Sequence, residues 1–404
     1  MAGIAIQAAP LTLVQYAAQA RRSARFGADE EGLQKVRFGY FGEIGGLLAA
    51  LKKASRDTLF EAETQFAGEE IGDALWYLVT LADLSNVTAA DLGRACIEHL
   101  AGCESSGQDY LADPSFRQID GLIEAKGGKG HQDQKAILEK LAESAGVLAH
   151  DSRPQKDLQD HAQEHARLAP LLALLAQAAA SFGLKLEDVA NYNLKKTADR
   201  WPGDDPQYLP FFDNAPPFKT YEQFERRFTV KFEERTLDGK AFVVQSIQGV
   251  FIGDRLTDNS VEPDGYRFHD VFHLAYIAHL GWSPVVRGLL KRKRKSNPGT
   301  DENQDGARAM IIEEGIATWI FNHAKSRRFY EDVEPGKLEY GLLKQIRSMV
   351  QGYEVDQCPL WQWERAILDG FNVFRQLKAA GGGLVTIDMN AHAITFEPLP
   401  QDEK

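Results

Sequence analysis

The sequence predicts a mainly α-helical protein, with an all-α bundle in its first half and a mostly helical α+β domain in its second half. Residues 11–200 are rich in Ala, Leu, Glu, Lys and Gln and show no strand-like alternation. Five prolines crowd residues 202–217, which is typical of a linker. Beyond them, β-branched and aromatic residues gather at 241–256 and 384–396, with helical patterns between. We therefore expect a bundle over 1–203, a Pro-rich linker over 204–218 and an α+β domain over 219–404.

Composition and charge limit the class of protein. The chain has 404 residues, of which 44% are apolar and 26% charged, the balance of a globular protein with more than one core. A net charge of −12 excludes nucleic-acid binding through the overall field of the protein. Three cysteines are too few for a disulfide framework, and no stretch of about 20 apolar residues indicates a membrane span. We expect a cytoplasmic homo-oligomer without a membrane partner.

Seven helices are expected in the first half, with a connector over 110–130. Their bounds are 11–23, 39–53, 68–84, 89–100, 134–149, 157–182 and 187–199. The acids and the apolar residues recur along these segments at the spacing of one helical face.

Two stretches of the first half recur further along the chain. Residues 42–48 align with 142–148, and residues 86–92 align with 183–189, at offsets of 100 and 97. The near-equal offsets predict a degenerate tandem repeat, with units over about 11–105 and 131–203. Chance similarity between Ala- and Leu-rich helices is the alternative.

Three carboxylates of the first half form a candidate cation site. Glu70 and Asp73 lie three residues apart, which places both on one face of a helix. Glu43 lies in a similar apolar setting on the preceding helix. Three hard oxygen ligands suit Mg²⁺ that also contacts phosphate oxygens. The alternative is a solvated acidic helix face.

Several segments that contain or flank these carboxylates occur in an order that is also found in a known protein family. They are Leu11-Thr12-Leu13-Val14-Gln15-Tyr16, Gly42-Glu43-Ile44-Gly45 and Glu69-Glu70-Ile71-Gly72-Asp73-Ala74-Leu75-Trp76-Tyr77-Leu78, and near residue 200 Asn191-Tyr192-Asn193-Leu194-Lys195-Lys196 before Arg200-Trp201-Pro202. In this order the first half resembles the MazG-like all-α nucleoside triphosphate pyrophosphohydrolases. The resemblance implies Mg²⁺-dependent hydrolysis of an NTP or dNTP to a nucleoside monophosphate and pyrophosphate, with Glu43, Glu70 and Asp73 as catalytic and Mg²⁺-binding residues.

Polar, cationic and aromatic residues near these acids are candidates for substrate binding. The resemblance places Asn193 and Lys196 on the terminal helix, and Lys196 or Arg200 would stabilise negative charge on the phosphates. Trp76 is a candidate for stacking on the base, although an aromatic residue on an apolar helix is also typical of a core.

This chain departs from the family pattern at Gly46. The family's first motif is Glu-x-x-Glu, and Gly46 stands where the second acid is expected. Either three carboxylates suffice for one Mg²⁺, or the protein is a catalytically weak nucleotide sensor. The second repeat unit has Arg167 and Pro170 near the places of Glu70 and Asp73, so we expect one site, with metal ligands from the first unit and phosphate-binding groups from the second.

The second half contains a separate His/Glu pattern. His269 and His273 have the i, i+4 spacing of two imidazoles on one metal ion, and Glu313 and Glu314 lie within an apolar helix. Together they predict a site for Zn²⁺, Fe²⁺ or Mn²⁺. The alternatives are a structural His–Glu hydrogen-bond network and a glutamate paired with Arg308. This half resembles an extension domain found on some MazG-like proteins.

A basic run, Lys291-Arg292-Lys293-Arg294-Lys295, stands out in an acidic chain. It predicts contact with phosphate or nucleic acid, or else a solvated loop. It thereby supports an alternative function, a nucleic-acid-binding protein whose second domain carries the effector function.

Overall fold

A computed structural model describes residues 9–56, 63–102, 113–127, 134–151, 161–203, 206–214 and 217–400. The chain divides into two compact units, Met1–Gly203 and Asp204–Lys404. Among the described residues, no single helix is long and apolar enough to cross a membrane, although the bent pair Ala166–Ser181 and Leu186–Arg200 meets that test when taken together.

The described part of the first unit is all-α, as predicted. Its helices are α1 Leu13–Ser23, α2 Glu30–Arg56, α3 Glu63–Leu84, α4 Ala89–Ala101, α5 Phe116–Gly127, α6 Gln134–His150, α7 His161–Ser181 and α8 Leu186–Arg200. Helix α3 is central and packs against α2, α7 and α8, while α2 also contacts α6. Helix α5 corrects the expected connector over 110–130, because Phe116 and Ile119 are fully buried on one helical face and anchor it to the core.

Helices α1 and α5 begin with the same local structure. Thr12 and Gln15 form a capping box at α1, and Ser115 and Gln118 form one at α5. The two caps also pair with each other, since Thr12 and Ser115 form an antiparallel bridge. Two duplicated units would pair their first caps in this way, but Ser115 lies before residue 131, where the second unit is expected to begin.

The turns α3–α4 and α7–α8 also repeat. Asn86 and Gly183 adopt left-handed backbone conformations, with φ of 58° and 74°. In each turn the next amide donates to a carbonyl five residues earlier, Val87 to Ala82 at 2.8 Å and Leu184 to Ala179 at 2.9 Å. These matches agree with the predicted repeat, which stays a prediction.

The second unit is α+β, as predicted. Its strands are β1 Arg227–Leu237, β2 Lys240–Ile247, β3 Val250–Leu256, β4 Gly382–Asp388 and β5 Ala393–Glu397, and its helices are α9 Asp270–Leu280, α10 Pro284–Leu289, α11 Pro298–Asn303, α12 Ala307–Lys325, α13 Tyr340–Met349 and α14 Leu360–Ala380. The antiparallel sheet has the order β3-β2-β1-β4-β5. All eleven residues of α9 are buried, and α9 packs against α14, β4 and β5. Strand β1, which we did not predict, buries Phe228, Val230 and Phe232 in alternation.

The Pro-rich segment is part of the second unit and not a free linker where it is described. Leu209, Phe211 and Phe212 pack against the core of the second unit. Asp213 is fully buried, accepts a hydrogen bond from the amide of Phe224 at 2.8 Å and pairs with Arg287 at 2.9 Å. Proline spacing alone does not reveal these anchors, because the apolar residues between the prolines decide whether the segment packs.

Candidate functional site

The structure brings three predicted carboxylates together in the first unit. Glu43 comes from α2, and Glu70 and Asp73 come from the facing side of α3. The side chains of Glu43 and Glu70 share a hydrogen bond, and the charge of Asp73 acts on both. All three residues are half-buried. We call them the carboxylate cluster, because the three carboxyl groups interact with one another.

Helix α8 holds Asp73 from the other side. Asn193 donates to Asp73 Oδ1 at 2.9 Å, and the Lys196 ammonium forms an ion pair with Asp73 Oδ2. The Asn193 amide oxygen accepts from the hydroxyl of Tyr16 at 2.8 Å. Helix α8 approaches this closely because Gly72 has no side chain; a Cβ there would lie 3.2 Å from Asn193 Cβ. Helix α8 thus brings Asn193 and Lys196 next to an acid of α3.

Burial and mutual repulsion raise the pKa values of two residues in the carboxylate cluster. Burial, then the charge of Asp73, then contact with Glu70 raise the pKa of Glu43 to about 8. Burial also raises the pKa of Glu70. Burial alone would lower the pKa of Lys196, but the neighbouring Asp73 carboxylate raises it. The Glu43–Glu70 pair therefore holds a proton near neutral pH when nothing else compensates its charge.

The other two predicted substrate-binding residues, Trp76 and Arg200, lie in positions that are less favourable for contact with a nucleotide. The Trp76 indole packs on Phe26 and Tyr77 and donates to Ser23 Oγ at 3.0 Å. This is the core packing that we gave as its alternative role. Arg200 is 1% exposed and lies over the ring of Trp201. Its burial does not favour the predicted contact with phosphate.

The second unit gathers three of its four predicted metal ligands. Nitrogens of His269 and His273 and an oxygen of Glu314 lie within 4.8 Å of one another, as a group found among the described residues. His269 immediately precedes α9, His273 lies one turn later, and Glu314 lies on α12. We call these three residues the His–Glu cluster. Glu313 points elsewhere.

Glu313 is a hydrogen-bond partner of His273. It is fully buried, and its Oε1 lies 2.8 Å from His273 Nδ1. It also accepts hydrogen bonds from Ser283 Oγ at 2.6 Å and from the amide of Val285 at 2.8 Å. Burial would lower the pKa of His273, but the charges of Glu313 and Glu314 raise it above its usual value. The predicted His–Glu hydrogen-bond network thus holds for Glu313, whereas Glu314 faces the other side of the imidazole.

The basic run is partly built into the fold. Arg294 is fully buried and pairs with Asp305 at 2.7 Å and with Glu354 at 2.6 Å. Arg292 pairs with Glu225 at 2.6 Å. The predicted contact with phosphate or nucleic acid therefore does not hold for Arg294, and it falls to the exposed side chains of Lys291 and Lys295.

Several residues of these sites were not predicted. Tyr16 and Ser283 each contact a predicted residue, yet neither carries a spacing pattern that marks it. Tyr16 lies in the first segment of the family resemblance, which was the only available signal.

Comparison with known proteins finds one match, in the second unit. Residues 207–400 match the family model described as the MazG C-terminal domain. The second unit is therefore similar to that domain, as its resemblance to a MazG-like extension predicted, and this similarity suggests a nucleotide-related function. The match does not extend into the first unit. No curated protein and no solved structure matches the chain significantly.

Proposed function

We propose that the first unit hydrolyses a nucleoside triphosphate, ribo- or deoxyribo-, to a nucleoside monophosphate and pyrophosphate in a Mg²⁺-dependent reaction. The observation that carries this proposal is the meeting of Glu43, Glu70 and Asp73 between α2 and α3, with Lys196 of α8 beside them. The similarity of the second unit to the MazG C-terminal domain supports a nucleotide as the substrate.

The donor set fits Mg²⁺. Two carboxylates that share a proton, with a third charge next to them, form a site whose repulsion a divalent cation relieves. Glu43, Glu70 and Asp73 would hold the ion, which when bound neutralises charge that develops on phosphate oxygens.

The residues of the chain have distinct roles in this reaction. A Glu43 carboxylate oxygen that faces the water attacking the α-phosphorus would orient this water and take up its proton. The bond from the α-phosphorus to the bridging oxygen breaks, and pyrophosphate leaves with the bonding electrons. Lys196 supplies positive charge near these oxygens. Asn193 and Tyr16 keep Asp73 in place, so they act as positioning residues.

A substrate panel tests the proposal. Purified full-length protein is incubated with canonical and modified NTPs and dNTPs, with and without Mg²⁺, and phosphate is measured after inorganic pyrophosphatase is added. We expect phosphate only when both Mg²⁺ and pyrophosphatase are present. Glu70→Gln and Asp73→Asn should abolish the signal without changing the circular dichroism spectrum. Asp83→Asn is the matched control, because Asp83 lies on the same helix in an exposed pair with Arg21. Full activity of both cluster variants would refute the proposal.

A nucleotide sensor is the second candidate, and Gly46 favours it. Without an acid at position 46 the site has one ligand fewer than the family motif, so binding without turnover is the expected behaviour of a sensor. Calorimetric titration with a nucleotide and Mg²⁺, with no pyrophosphate released over hours, would favour the sensor. A salt-dependent shift of DNA or RNA mobility would instead support nucleic-acid binding through Lys291 and Lys295.

A further inference from the structure

We propose that the second unit binds one divalent transition-metal ion, Zn²⁺, Fe²⁺ or Mn²⁺, through His269, His273 and Glu314. This site is chemically distinct from the Mg²⁺ site of the first unit and does not depend on pyrophosphohydrolase activity. Four observations lead to it: the placement of the ligands, the orientation of the imidazoles, a buried nitrogen without a hydrogen bond and the donor chemistry.

The backbone fixes the placement of the ligands. His269 and His273 are one helical turn apart, so their rings leave the same face of α9. Their Nε2 atoms lie 3.8 Å and 3.5 Å from the same oxygen, Glu314 Oε2. A single ion among these three atoms requires only small side-chain adjustments.

The opposite ring nitrogens are already occupied. His269 Nδ1 lies 2.9 Å from the carbonyl oxygen of Tyr266, which can only accept, so Nδ1 donates to it and Nε2 is the ring nitrogen that remains for a metal ion. The ring of Tyr266 also stacks on His269, with centroids 4.2 Å apart. His273 Nδ1 is held by Glu313, which Ser283 and Val285 fix in turn. Metal-bound histidines usually donate their other ring N–H to a carbonyl or a carboxylate in this way.

One nitrogen of the cluster makes no hydrogen bond, although it lies 3.5 Å from Glu314 Oε2. His273 is fully buried, and within the described part of the chain its Nε2 makes no hydrogen bond. A buried polar atom without a partner is unfavourable, and a metal ion at this position would satisfy it. The nitrogen faces Glu314 and not an apolar wall.

The donors favour a transition metal with open coordination positions. Two imidazoles and one carboxylate suit Zn²⁺, Fe²⁺ and Mn²⁺ better than an all-oxygen ion. Three protein ligands leave room for water or a substrate, and the side chain of Glu314 is 43% exposed, so the cluster is open to solvent. Asp270 Oδ1, 3.2 Å from His269 Nε2, is a further carboxylate next to this position, and Gln245 holds its other oxygen.

Metal content of the full-length protein tests the proposal. The protein is stripped with a chelator and dialysed separately against Zn²⁺, Mn²⁺ and, without oxygen, Fe²⁺, and bound metal is measured by inductively coupled plasma mass spectrometry. We expect one equivalent of at least one of these ions in the wild type and loss of that equivalent in His273→Ala and Glu314→Gln. Reconstitution with Co²⁺ should add a visible absorption band that both variants lack.

Control variants separate metal binding from folding. His323→Ala removes another histidine that contacts a carboxylate, Glu339, and should keep the metal. Glu70→Gln removes the proposed Mg²⁺ ligand of the first unit and should also keep it, so that failure of the pyrophosphohydrolase proposal leaves this measurement intact. Glu313→Gln should weaken metal binding by about 10- to 100-fold.

Two results would overturn the proposal. One is a wild type that binds none of the three ions after dialysis. The other is unchanged metal content in Glu314→Gln, a variant of equal size at a partly exposed position that is expected to fold even where His273→Ala does not.

Discussion

The carboxylate of Glu70 fills the space beside the backbone of Gly46, and a Cβ at position 46 would overlap Glu70 Oε2. The missing acid of the first motif and the close contact of Glu70 with Glu43 are therefore parts of one arrangement. Because α2 has no side chain at this point, Glu70 reaches across from α3. A side chain at position 46 would push it away from Glu43.

Gly46→Ala tests this relationship. The overlapping atom is the end of a flexible side chain, so Glu70 can move and the fold should persist. Replacing a helical glycine with alanine should also stabilise α2 by about 0.5–1 kcal/mol. We expect an unchanged or higher melting temperature. We also expect half-maximal pyrophosphate release to require an approximately tenfold higher Mg²⁺ concentration. Gly45→Ala is the matched control, because a Cβ there meets nothing within 4 Å. Identical Mg²⁺ curves for both variants would contradict the arrangement.

The raised pKa of Glu43 predicts that Mg²⁺ binding depends on pH. The metal-free carboxyl, with a pKa of about 8, is mostly protonated at pH 7, and Mg²⁺ must displace its proton. Affinity for Mg²⁺ should therefore rise between pH 6 and 9, with release of a proton that calorimetry in buffers of different ionisation enthalpy detects. A flat pH profile in the wild type would show that Glu43 is not a ligand.

The same shift affects the stability of the metal-free protein. A carboxyl whose folded pKa exceeds its unfolded value favours folding when it is protonated. Its contribution is complete below about pH 4.5 and is lost as the pH rises through about 8. We expect the melting temperature in chelator to fall over this window in the wild type, and to fall less in Glu43→Gln, which cannot ionise.

Tyr16→Phe tests the positioning of Asp73. The buried Tyr16 hydroxyl donates to Asn193, and its removal leaves the amide oxygen without that donor. We expect a loss of about 1 kcal/mol in the free energy of unfolding and a several-fold fall in kcat with little change in KM. Tyr40→Phe is the control, since the Tyr40 hydroxyl is also buried but has no hydrogen-bond partner among the described residues. Equal effects of the two variants would exclude a positioning role.

The sequence predicted most helices and the identity of the acids, because both follow from local periodicity. It did not predict that Glu313 and Glu314 have different roles, since neighbouring residues on a helix differ by about 100° and only the position of α9 decides which one faces His273 Nε2. Likewise, nothing local indicated that Gly46 makes room for Glu70, which is 24 positions away on another helix. The sequence pointed to the acids that come together, but tertiary packing decides which residues each acid contacts.

The basic run is another case in which the sequence alone does not reveal the contacts of a residue. Arg294→Ala tests the buried residue of this run. Five consecutive cations look equivalent in sequence, yet Arg294 is buried between Asp305 and Glu354 and also donates to the carbonyl of Phe212. Its removal takes from Asp305 and Glu354 the cation nearest to them and leaves Asp305 only Arg287, at 3.7 Å. We therefore expect a loss of about 3–5 kcal/mol in urea unfolding followed by tryptophan fluorescence. Lys295→Ala, at an exposed position, should change stability by less than about 0.5 kcal/mol. If Arg294→Ala costs no more than Lys295→Ala, the run is a solvated loop throughout, and its cations are all available to a phosphate or a nucleic acid.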